Sequence, residues 1–142
     1  MPRFIVSLVL LLASILGAVL FEGGNPLGYV GPSALMVELL VPLFAMLAVW
    51  RLAEIGRAFA DAFSKKPDSA SRARSARIWD FTEKICYTAG VIGLILGFVL
   101  VLGRIASDVS ALGRALAICF LAPLYGVLLG IVCRILRARV TQ

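Results

Sequence analysis

Three stretches of this chain, 4–21, 85–103 and 115–133, contain no charged side chain, and a fourth, 33–50, contains one, Glu38. Each can cover the roughly 20 residues that a helix needs to cross a bilayer core. In 142 residues, 61% of them hydrophobic, that apolar surface exceeds what one soluble domain can bury. The excess must face lipid. The sequence therefore predicts an all-α membrane protein of four transmembrane helices in a single membrane domain, 1–142. The spans are 4–21, 33–51, 85–103 and 115–133, with a short cytoplasmic helical hairpin, 52–84, between the second and third. A secretory leader is the rival for the first run, but that run is long for a leader and lacks a small-x-small cleavage site. It is read as a retained helix.

Lys and Arg orient the chain. The segment 51–84 carries eight, Arg134, Arg137 and Arg139 follow the last run, and Arg3 precedes the first. Only Arg104 and Arg114 fall on the other side. The positive-inside rule then places both termini and the hairpin in the cytoplasm, a multi-pass arrangement expected for a bacterial inner membrane. The net charge of +6 is mostly this asymmetry. It fits anionic headgroups and calls for no nucleic acid.

Several chemistries lack their parts. There is no His, so imidazole catalysis and most zinc sites are excluded. Cys86, Cys119 and Cys133 have no metal-ligand spacing and are expected to be small packing residues, without a disulfide. No nucleophile–base set is visible, so no enzyme activity, cofactor or metal is expected.

Between the spans, "RLAEIGRAFADAF" places Leu52, Ile55, Phe59 and Phe63 on one helical face and is expected to continue the second span. Pro67 breaks it, and Asp68 or Ser69 can cap the next helix. "SASRARSARIWDFTEK" then leads into the third span, with Trp79 expected among the headgroups. The outer loop "EGGNPLGYVGP" should be turn-like. In the other outer loop, Ser107 or Asp108 can cap the last span.

The last two spans carry stripes of small residues. Cys86, Gly90, Gly93 and Gly97 lie within roughly 60° of arc. Ala115, Cys119, Ala122, Gly126, Gly130 and Cys133 lie within roughly 80°. Between helices in lipid, apolar burial gains little, and small residues act by letting backbones approach. Two readings are open: the stripes pack on each other, or both face a common central helix or narrow pore. Pro123 and Tyr125 sit about 80° to either side of the second stripe. The proline frees the carbonyl of Cys119, and the phenol needs a partner. Glu38 is about five residues in from Ser33, roughly 7 Å deep. At a bilayer centre a charge costs about 2.5–3.5 kcal/mol on insertion scales. Glu38 shares a face with Ala34, Ala45 and Ala48, which points it into protein. Two roles are open for it, a structural carboxylate or a member of an ion pathway.

Taken together, these residues resemble the MotA/TolQ/ExbB proton-channel family. The third span carries its G-x-x-G-x-x-x-G run as Gly90, Gly93 and Gly97. The fourth carries Asp108, "ALG" at 111–113, Ala117 and "LYGVLLG" at 124–130. "LFEGGNPLGYVGPSALMVELL" is similar to the first outer loop of the MotA branch. The chain departs from the pattern at Tyr87, where the family has Pro, and at Pro123 and Leu94, where members have Thr. The large cytoplasmic domain is reduced to a hairpin.

The resemblance implies a homopentamer around two copies of a single-span partner that carries an intramembrane Asp. Flow of H+ or Na+ then moves the partner. It also implies that Cys86, Gly90, Gly93, Gly97, Ala115, Cys119, Ala122, Pro123, Tyr125, Gly126 and Gly130 face the partner or pore. A non-conducting scaffold for an envelope protein and a small-solute transporter are the alternatives.

Overall fold

The structure is a computed structural model, and it describes residues 6, 9–10, 13–14, 17, 20–21, 31–64, 69–104, 116 and 119–141. The chain divides into two compact units, 1–31 and 32–142. In the first, Val6, Val9, Leu10, Ala13, Ser14, Gly17, Leu20 and Phe21 are helical and exposed. The second unit contains α1 (Pro32–Val49), α2 (Leu52–Phe63), α3 (Ser69–Arg104) and α4 (Leu121–Thr141). The expected break at Pro67, the cap at Asp68, both outer-loop readings, and Ala115, Asp108, 111–113 and Ala117 lie outside what the structure describes, while Ser69 is the first residue of α3.

The architecture is an all-α bundle. Among the described residues two helices, within α3 and α4, are long and apolar enough to cross a membrane, or three if the bent pair α1–α2 counts as one span. At 36 residues, α3 is about 54 Å long, nearly twice a bilayer core. One uninterrupted helix therefore carries both the charged segment and the third apolar run. Around it α1, α2 and α4 all pack.

Three expectations are corrected. The second span does not continue into the hairpin: it ends at Val49, and α2 starts at Leu52 after a turn of 113°. Arg51 makes the corner in an extended conformation (φ −71°, ψ 146°), and its N–H donates to Glu54 Oε2 at 3.2 Å. A helix N-terminus needs such an acceptor for its orphan donors. Glu54 thus starts a new helix where apolar periodicity alone read a continuous one.

The face of α2 also differs. Ile55, Ala58 and Ala62 are buried, while Leu52, Phe59 and Phe63 are exposed. The two alanines let the α2 backbone come close to α3. Trp79 Nε1–H reaches the Ala58 carbonyl at 3.4 Å, and its ring meets Phe59 edge-on. Trp79, expected at the headgroups, is instead 2% exposed beneath α2. Asp61 accepts hydrogen bonds from the hydroxyls of Ser71 and Ser75, the latter at 2.6 Å, and Arg74 pairs with Glu54 at 3.0 Å.

Candidate functional site

The two small-residue stripes meet one another. A methyl group placed on Gly93 would lie 2.6 Å from Cβ of Ala122, and one on Gly97 would lie 2.8 Å from Sγ of Cys119. At Gly126 it would meet the Cys86 carbonyl at 2.7 Å and Cα of Gly90 at 3.1 Å. At Gly130 it would strike the Tyr87 ring at 2.7 Å. The helices are antiparallel in one continuous register, and at their closest approach backbone lies on backbone. Of the two readings of the stripes, mutual packing is the one the chain adopts.

Beyond the glycines the register continues. Cys86 and Cys133 are buried side by side as free thiols. Arg134 then reaches Glu83 Oε1 through Nη2 at 2.6 Å and through Nε at 2.7 Å. Arg137 pairs with Asp80, which also accepts from Lys84 at 2.8 Å. The Lys84 hydrogen bond, and then the Arg137 charge, hold the Asp80 carboxyl below its ordinary range.

Pro123 occupies the third position of α4, after a turn at Phe120. There the missing N–H falls among donors that a helix start leaves unused. The proline lies against the crossing: its Cα is 3.0 Å from where a Gly90 methyl would be. Tyr125 is half-buried one turn from Leu121. Thr88 is exposed, and its hydroxyl donates to the Lys84 carbonyl at 2.9 Å.

Glu38 is aimed into this crossing from α1. It is fully buried, and among the described residues neither carboxyl oxygen has a hydrogen-bond partner. Oε1 lies 3.5 and 3.7 Å from the methyl positions of Gly90 and Gly93, and Oε2 lies 3.2 Å from that of Gly126. The glycines that bring α3 and α4 together are thus the ones that make room for the acid. Glu38 shares its buried face with Pro42 and Met46, while Ala48 is exposed.

The residue-by-residue reading overlooked Pro42, which lies inside α1. It has no N–H to offer the carbonyl four residues back, and that carbonyl belongs to Glu38. The spacing was available in "ELLVP". A buried carboxyl group with no donor or counter-charge is neutralised by a proton or a cation, because the bare charge is too costly. Among the described residues no His, Cys, Asp or Glu cluster could hold a metal ion.

Comparison of the chain with protein-family models, with curated proteins and with solved structures returns no match.

Proposed function

We propose that this chain is a membrane-embedded subunit of an ion-translocating complex, and that Glu38 is its own ion-carrying group. The observation that carries this reading is the position of that carboxyl: fully buried, without a hydrogen-bond partner among the described residues, at the crossing of three helices. A structural carboxylate would be expected to accept hydrogen bonds from loop backbone or an Arg. An exchangeable proton or cation is the partner that such a site leaves room for. The resemblance supplies the rest of the proposal: a homopentameric ring in the bacterial inner membrane, both termini cytoplasmic, around two copies of a single-span protein with an intramembrane Asp. With the stripes engaged on each other, that partner meets the ring elsewhere than on the glycines.

The test is ion flux into liposomes containing the purified complex. Glu38→Gln and Glu38→Ala should both abolish flux while insertion is kept. Unchanged flux in both removes Glu38 from the pathway. Native mass spectrometry checks the assembly, with five copies and two of a single-span protein expected.

A second reading is a small carrier that works without a partner. Pro42 in α1 and Pro123 in α4, on two of the helices that meet at Glu38, favour it, since broken helices build transporter sites. Saturable solute uptake by the chain alone would select it over the ring.

A further inference from the structure

The corner between α1 and α2 sets the direction of α2. When α1 runs along the membrane normal, a turn of 113° leaves α2 slightly past perpendicular, heading back toward the bilayer. Only Trp50 and Arg51 separate the two helices, so α2 stays at the depth where α1 ends.

α2 has three faces. Ile55, Ala58 and Ala62 are buried. Glu54 and Asp61 engage Arg74, Ser71 and Ser75 of α3. The third face carries Leu52, Phe59 and Phe63, which are 75%, 45% and 44% exposed and fall within about 40° of arc. Aromatic rings cluster at this level: Phe59 against Trp79, and Trp50 against Phe81 at 4.9 Å. Trp79 is itself buried beneath α2, and Phe59 and Phe63 are the rings left exposed at this level. Arg51, Arg57 and Arg77 are exposed on the same basic segment. An amphipathic helix with Phe and Leu on one side and Arg beside it is the form that lies in a bilayer interface.

We propose that α2 is an interfacial helix seated in the leaflet on the basic side of the chain. Leu52, Phe59 and Phe63 enter the acyl boundary, and Arg51, Arg57 and Arg77 meet the phosphates of anionic phospholipids. The choice of lipid follows from the corner angle, the exposed apolar face and the positive charge together. A helix pointing away from the membrane would put these rings in water. The expected immersion of the apolar face is about 5–10 Å.

The experiment uses the full chain in vesicles of phosphatidylcholine, with and without phosphatidylglycerol. Cys86, Cys119 and Cys133 are first changed to Ala, and single nitroxides are then attached through Leu52→Cys, Phe59→Cys, Phe63→Cys and Arg57→Cys. Labels at 52, 59 and 63 should be several-fold more accessible to oxygen than to a water-soluble nickel chelate. The label at 57 should show the reverse, and phosphatidylglycerol should widen the contrast. Equal nickel access at 52, 59 and 57 overturns the proposal. So does spin–spin broadening at 59 that disappears on dilution with unlabelled chain, because a second copy then covers the face. A parallel measurement needs no substitution: a membrane-partitioned diazirine should label the native chain at 52, 59 and 63. Labelling of the spans without adducts there also overturns it.

Discussion

The α3–α4 pair is one antiparallel contact made in two ways. At one end Gly90, Gly93 and Gly126 bring backbones together. At the other, Glu83 and Asp80 are reached by the long side chains of Arg134 and Arg137. The register is the same and the surroundings differ. In lipid, apolar burial between helices gains little, so close approach must supply the attraction. Near water, long charged side chains can be ordered at modest desolvation cost. Glu38 stands out because it is an acid in the half governed by glycine, and among the described residues it has none of the partners that acids have in the other half.

The contrast can be broken first at its tight end. Gly126→Leu should have the largest effect, because its Cβ would meet the Cys86 carbonyl and Gly90 Cα, backbone atoms that cannot swing away. Overpacking of this kind costs about 1–3 kcal/mol and sometimes more. Thermal unfolding in detergent should show a marked drop. Gly103, with nothing within 4 Å of its Cβ position, is the control. Gly103→Ala should stabilise the helix by roughly 0.5–1 kcal/mol. If the two variants melt alike, close packing at Gly126 is not what holds the pair.

At the charged end the effect should be smaller and rescuable. Arg134→Met leaves the buried Glu83 carboxylate without its donor and should lower the melting temperature less than Gly126→Leu does. Glu83→Gln in the same chain should recover much of it. No recovery in the double variant would show that Arg134 acts through packing instead. Smaller still is Arg74→Ala, since its pair with Glu54 is well exposed. Such bridges contribute about 0–1 kcal/mol, and a shift beyond that range would reveal a stiffer hairpin.

The smallest effect is expected from acid. The Asp80 carboxyl is depressed in the folded chain by Lys84 and Arg137. Its contribution is therefore complete above the unfolded value, about 3.9, and is lost as pH falls through the lower folded value. Asp80→Asn should flatten that limb of a stability–pH curve and leave neutral pH nearly unchanged. An identical acid limb in both chains would exclude Asp80.

Much of this was legible in the order of residues. A charge-free run has few options but a helix, and the small stripes gave the contacting faces of α3 and α4 because the period of 3.6 is fixed by backbone geometry. The stripes did not reveal their partner, since a glycine face suits any close backbone. Along α2 the large residues pointed to the wrong face. There the alanines packed inward, because a helix beside a corner gains more from approach and from polar contacts to Ser71 and Ser75 than from burying a ring. Pro123 read as a mid-span defect, yet the helix restarts at Leu121 and absorbs it.

The sequence alone therefore determined what each stretch tolerates: lipid or water, helix or break, close or distant approach. These are local properties of side chains and of backbone period. Tertiary structure decided what meets what. It chose the 113° corner, set the α3–α4 register, and placed Glu38 against glycines nearly ninety residues away in the case of Gly126. Such pairings depend on which surfaces compete for the same space, a contest that no single segment encodes.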